Sequence, residues 1–172
     1  MWHEDTLIAE AKPCEFTLDL PSPPNFATAA DASTRYSGFH HHPYPQCFVC
    51  GPRRPAEDGL KIFAGPLLES EILAATWIPA PDLADDTGFV KSEFVWAALD
   101  CPGGVAAMDD TDSAIILGRL AAKIMAPVKA GEGYIPMGWH IYQEGRKCFS
   151  GTALYSASGE LCGLAKATWI TL

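Results

Sequence analysis

Positive charge is scarce in this sequence. Its 172 residues include 12 lysines and arginines against 21 aspartates and glutamates, for a net charge of −9, and the few cations form no stripe. A surface of that sign repels phosphate backbones and anionic headgroups, which argues against nucleic acid or a membrane surface as a partner. Also lacking is any uninterrupted run near the ~18 apolar residues that a bilayer span requires. The opening Met1-Trp2-His3-Glu4-Asp5 carries acid where an export leader carries cations, so a cytoplasmic location is expected. No internal repeat or heptad occurs. What is present is core material: 48% of residues are hydrophobic and 19% charged, which excludes wholesale disorder and fits one domain with some additional chain.

Six cysteines, Cys14, Cys47, Cys50, Cys101, Cys148 and Cys162, are an even number. With no export signal and a sizeable core they read as reduced thiols, not a disulfide scaffold. Cys47-x-x-Cys50, just after His40, His41 and His42, invites a zinc site. A structural zinc centre takes four ligands, however, and only one such pair exists; the thiols are therefore expected to be structural, with no metal and no cofactor. Cys101 is the nucleophile alternative, but no histidine lies near it in sequence, and it too reads as a packed thiol. His140, between Trp139 and Ile141, reads as a structural histidine. Trp77, Trp96, Trp139 and Trp169 read as core or interface.

Eight of the 14 prolines and four of the five histidines precede Leu60, a composition hostile to long regular elements. That part is expected to wrap the domain, with a strand over Cys14–Leu20 and a helical turn or two over Phe26–Arg35. Leu60–Ala64 and Glu71–Pro79 predict a hairpin turning at Gly65-Pro66. The 15 residues Phe94–Met108 contain one charge, Asp100, and predict a buried helix capped by Ser92 with Glu93 at its positive end. After Asp109-Asp110-Thr111-Asp112, four strands near Ile115–Ala126, Tyr134–Gln143, Lys147–Ser156 and Leu161–Leu172 predict a meander. An antiparallel sheet of five to six strands curled around one helix makes the class α+β.

Three stretches carry a resemblance. They are Pro45-Gln46-Cys47-Phe48-Val49-Cys50-Gly51-Pro52 with Asp58-Gly59-Leu60; the helix Val90–Asp100; and the turns Pro127–Gly131, Glu144–Lys147 and Ser158–Leu161. With them, residues 40–172 resemble the hotdog-fold acyl-CoA thioesterases of the phenylacetate type, and residues 1–39 stand as an N-terminal extension. The resemblance implies an acyl-CoA or acyl-carrier thioester as substrate, and a homodimer or dimer of dimers with sites across its interface. Where that family opens its helix with His-Gly-Gly, this chain has Lys91, Ser92 and Glu93; the family's later acidic residue is matched by Asp100.

Thioester hydrolysis needs a base or nucleophile and donors for the developing oxyanion. Asp100, on an otherwise apolar helix, suits general base or nucleophile, and the helix start at Ser92 and Glu93 completes the candidate catalytic set, with amides near Glu93, Phe94 and Val95 as donors. Asp100 can equally be read as the N-cap of a shorter helix starting at Cys101-Pro102. On one straight helix Glu93 and Asp100 lie about 10 Å apart along one face, too far for one carbonyl to touch both. A symmetric dimer resolves this by bringing Asp100 of one subunit to the helix start of the other. Candidate substrate contacts are Lys91, Phe94, Gly103 and Gly104, with Lys123, Arg146 and Lys147 for the phosphates of CoA. A hotdog dehydratase would pair its acid with a histidine, and none accompanies Asp100. A non-catalytic acyl-CoA-binding protein is the remaining alternative.

Overall fold

The long strands follow from period-two alternation. Along β7 (Lys147–Ser156), Ala153 and Tyr155 join one apolar cluster while Leu154 joins another. The structure, a computed structural model of the chain, describes residues 1–108 and 114–172; the acidic run Asp109-Asp110-Thr111-Asp112 lies outside the described residues. In chain order the other elements are β1 (Trp2–His3), β2 (Thr6–Leu7), α1 (Phe26–Ser33), β3 (Gly65–Pro66), β4 (Leu73–Ala74), α2 (Ser92–Ala98), α3 (Cys101–Ala107), β5 (Ile115–Ile124), β6 (Tyr134–Glu144) and β8 (Leu161–Thr171).

Six strands form one antiparallel sheet in the order β3-β4-β6-β7-β8-β5, while β1 and β2 make a separate exposed hairpin. Strands β6, β7 and β8 are the expected meander. Strand β5 is not its first member: it pairs with β8 from Ile115↔Thr171 to Ile124↔Gly163. The reason is that β4 already occupies the free edge of β6, through Leu73↔Gly138 and Ala74↔Met137. The predicted first hairpin is also redrawn. Gly65-Pro66 is itself the strand that pairs with Leu73-Ala74, and the turn follows it.

Helices cover both faces of the sheet. α2 and α3 lie on one face, where Val95, Ala98 and Leu99 pack with Ala75, Trp77, Leu154 and Ala165. α1 lies on the other, where Ala29 and Ala32 pack against Ala74, Ile135, Met137 and Ala153. Asn25 caps α1, its side chain accepting from the Thr28 N–H at 2.8 Å. Two alanines allow close approach, and Gly65 completes it, since a Cβ there would overlap the Ala32 carbonyl. Arg35 then pins the helix to β3 by donating from Nε and Nη2 to the Pro66 carbonyl at 3.1 and 3.0 Å. The strand expected over Cys14–Leu20 does not form; its stretch of chain is mostly exposed and lies between prolines, which cannot donate to a ladder.

The expected single helix is two. α2 stops at Ala98 and α3 starts at Cys101. Pro102 has no N–H to give to Ala98 and its ring crowds the carbonyl four residues back, so the helix must restart there. α3 sits unusually close to the sheet: a Cβ on Gly138 of β6 would overlap the Pro102 carbonyl, and one on Gly104 would come within 2.9 Å of the Trp169 ring. Gly138→Ala should therefore lever α3 away, costing about 2–4 kcal/mol in urea unfolding. A cost under about 0.5 kcal/mol would show that the contact is slack.

Candidate active site

The break between α2 and α3 leaves Asp100 at the N-cap position of α3, with φ −86° and ψ −71°. Its backbone carbonyl accepts from the N–H groups of Gly103 and Gly104 at 3.1 and 3.3 Å, but its carboxylate makes no capping bond. The capping alternative is thus met by the backbone and not by the side chain. The residue is half-buried, yet Oδ1 is fully buried with no hydrogen-bond partner among the described residues. Burial, and secondarily the charge of Cys47, raises this carboxyl from 3.8 to about 6. A buried acceptor without a donor is rare enough to call for a reason, and a site that a ligand or water completes is one.

Ser92 and Glu93 open α2, both exposed, with Lys91 at the N-cap making no side-chain capping bond. The Phe94 and Val95 amides, two of the expected oxyanion donors, already donate to the Lys91 carbonyl at 3.0 and 3.4 Å. The first-turn donors left without a backbone partner among the described residues are those of Ser92 and Glu93. Because the helix is interrupted at Leu99–Asp100, Glu93 and Asp100 do not share one straight face. The Phe94 side chain packs inward against the Phe48 ring, 6.0 Å between centroids.

Gly103 and Gly104 are buried, and what approaches them is the sheet: Ser150 and Thr152 lie over Gly103, and the Trp169 ring over Gly104. Lys123 and Lys147, two of the four candidate cations, are not gathered together. Lys91 is exposed at the start of α2. Lys123 pairs with Leu164 of β8, whereas Lys147 pairs with Ile170. That separation is six residues along β8, roughly 20 Å. Trp77 and Trp169 are core residues, Trp96 is 40% exposed, and His140 is exposed on β6 and not packed as expected.

Next to Asp100 lies a convergence that spacing alone does not reveal. The sulfurs of Cys47, Cys50 and Cys101 all lie within 4.8 Å of one another, with Cys47 Sγ and Cys101 Sγ 3.5 Å apart. His42 Nε2 is 3.3 Å from Cys50 Sγ, and the buried Tyr36 hydroxyl donates to the Cys50 carbonyl at 3.2 Å. Hydrogen bonds from the Cys101 and Cys50 thiols and from the Val49 and Cys50 amides hold the Cys47 thiol far below its ordinary value. The same contact with Cys47, added to burial, pushes Cys101 well up. The third sulfur escaped sequence reading because it arrives from 54 residues away; the usable signal was the turn-forming Gly51 directly after the Cys-x-x-Cys pair.

Removing the charge of Asp100 should reveal its cost. The folded-state value lies above the unfolded one, so the penalty is absent below about pH 4 and full above about pH 6. Asp100→Asn should accordingly raise stability at pH 7 by about 1–2 kcal/mol, less than the full shift implies because the residue is half-exposed. A loss of more than about 1 kcal/mol would show that the carboxylate holds the fold together.

No protein-family model and no curated protein matches this chain. Solved structures do. The PaaI protein of E. coli, from the phenylacetic acid degradation operon, superposes with a TM-score of 0.55 at 9% identity, over 60% of this chain and 74% of its own. The smu.793 protein of Streptococcus mutans, solved with acetyl-CoA, gives 0.58 at 10% identity over 70% and 94%. A hypothetical thioesterase of Streptococcus pneumoniae, solved with coenzyme A, gives 0.55 at 11% identity over 59% and 78%. With its six-stranded antiparallel sheet, its α2–α3 segment across one face and these likenesses, the chain has the hotdog fold.

Proposed function

We propose that the protein hydrolyses acyl-CoA thioesters, with Asp100 as general base. The observation that carries this reading is Oδ1 of Asp100, buried and without a hydrogen-bond partner among the described residues, on the central helical segment of a fold whose solved examples include CoA-bound proteins. Asp100 takes a proton from water, and the hydroxide attacks the thioester carbonyl carbon. The oxyanion is held by the Ser92 and Glu93 amides of the partner subunit. The carbon–sulfur bond then breaks, and the proton passes from Asp100 to the departing sulfur, giving a carboxylic acid and free CoA. Lys91, Lys123 and the Arg146–Lys147 pair are the cations available to the phosphates.

The second subunit is supported by the edge of the sheet. β5 is a ten-residue edge strand, paired on one side only and carrying the exposed side chains Ile116, Leu117 and Ile124. An edge of that length and apolarity calls for a cover, and a symmetry-related β5 supplies one. A second reading, an acyl-CoA-binding protein without turnover, is favoured by one feature: Lys91-Ser92-Glu93 stands where the resembling family has His-Gly-Gly.

Thiol release from short-chain, long-chain and aryl acyl-CoAs separates the two readings. Wild type should turn over at least one class, and Asp100→Asn should lose about 100-fold or more in kcat with KM little changed. Tight binding of an acyl-CoA with no turnover would favour the binding protein. For the interface, Ile116→Lys should give a folded monomer by light scattering, with turnover lost. A dimer that persists would remove β5 from the contact.

A further inference from the structure

We propose that Cys47, Cys50 and Cys101 hold a thiophilic divalent cation of the zinc class, which clamps the turn at residues 47–51 to the first residue of α3. Zinc bound to thiolates at about 2.3 Å places sulfurs on tetrahedral edges of roughly 3.8 Å. The Cys47–Cys101 separation of 3.5 Å is close to that edge, and all three pairs lie within 4.8 Å. Two of the sulfurs sit on a tight turn built to present them. The Gly51 N–H donates to the Cys47 carbonyl at 2.9 Å, and a Cβ on Gly51 would lie 2.5 Å from the Cys47 backbone, so only glycine closes the turn. That turn carries Cys47 and Cys50 on one short stretch of backbone, with Cys101 brought against it from α3. Leu60 and Ile62 lock the loop in place, their amides donating to the Phe48 and Val49 carbonyls at 2.8 and 2.9 Å.

His42 is assigned a supporting role. The Tyr44 amide donates to His42 Nδ1 at 2.9 Å, so the ring proton resides on Nε2, the atom facing Cys50 Sγ at 3.3 Å. The imidazole therefore donates a hydrogen bond to the sulfur in place of a lone pair to a metal, as outer partners of metal thiolates do. A cavity of about 60 Å³ adjoins the three sulfurs, bounded also by Val105, Met108, Ile115 and Trp169, which leaves room for a fourth ligand from outside the chain. Three protein ligands and an exogenous fourth is an arrangement that zinc accepts. The rival use of the same sulfurs is a Cys47–Cys101 disulfide. It would leave the third converging sulfur, and the hydrogen bond to it from His42, without a purpose.

The test is metal content of the reduced full-length chain by elemental analysis, with cobalt(II) as the optical probe. About one equivalent of zinc should be retained after dialysis. The cobalt form should show thiolate-to-metal charge-transfer absorption, which water or nitrogen ligands alone do not give. Cys47→Ser, Cys50→Ser and Cys101→Ser should each weaken cobalt binding at least tenfold, while Cys14→Ser binds as wild type. Should the serine variants fold poorly, chelation of the wild type provides the second measure: Tm should fall with chelator and return with zinc. Either absence of stoichiometric metal or a Cys47–Cys101 disulfide in its place would overturn the three-sulfur site. None of these readouts requires thioester turnover.

Discussion

The structure depends on how closely α3 lies against β6. The Pro102 carbonyl rests over the α-carbon of Gly138, where no side chain is tolerated. On neighbouring strands, Ser150 and Thr152 rise under Gly103 while the Trp169 ring lies over Gly104. Pro102, Gly103 and Gly104 are each small or rigid for that contact, and the same three residues prevent α2 from continuing. The break puts Asp100 where its backbone starts a helix and its Oδ1 finds no donor among the described residues. Helix packing and the exposed chemistry of that carboxylate thus share one cause. A fold that only needed α3 to dock would be served better by asparagine or serine at this position, either of which caps a helix without a buried charge.

Covering both faces of the sheet has consequences for the N-terminal segment. β6 is buried from Tyr134 to Gly138 without interruption, because α3 takes one face and α1 the other. α1 is held by small side chains and by Arg35 on the Pro66 carbonyl. The segment between α1 and the sheet continues the same function: Tyr36 is buried against Phe39 and Phe63, at centroid distances of 5.3 and 5.5 Å, and its hydroxyl reaches Cys50. The chain before β3 therefore supplies one layer of the molecule as well as two of the sulfurs beside Asp100.

Much of this was legible in local sequence. Strands β6, β7 and β8 show alternation bounded by glycine turns; Gly145 and Gly159 adopt φ of +57° and +90°, a region other residues avoid. Asp100 stood out as the only charge in fifteen residues, and Asn25 followed by two alanines marks α1. What was not legible is non-local. The placement of β5 beside β8 depends on β4 having taken the edge of β6, which no window of sequence contains. Cys101 meets Cys47 across 54 residues, so the Cys-x-x-Cys pair looks incomplete when read alone. The interruption at Asp100 was foreshadowed by Pro102, but whether the helix bends or restarts there is decided by the sheet pressing on its glycines.

The central claim is that the Asp100 carboxylate acts on a thioester carbonyl. A crystal structure with a non-hydrolysable ketone analogue of acyl-CoA tests it most directly, because it locates the reacting carbon instead of inferring it from rate. The account predicts that carbon within about 4 Å of the Asp100 carboxylate or of a water bound to it, with the ketone oxygen facing the first-turn amides of α2. An analogue bound with its carbonyl a helical turn or more from Asp100 would contradict the account.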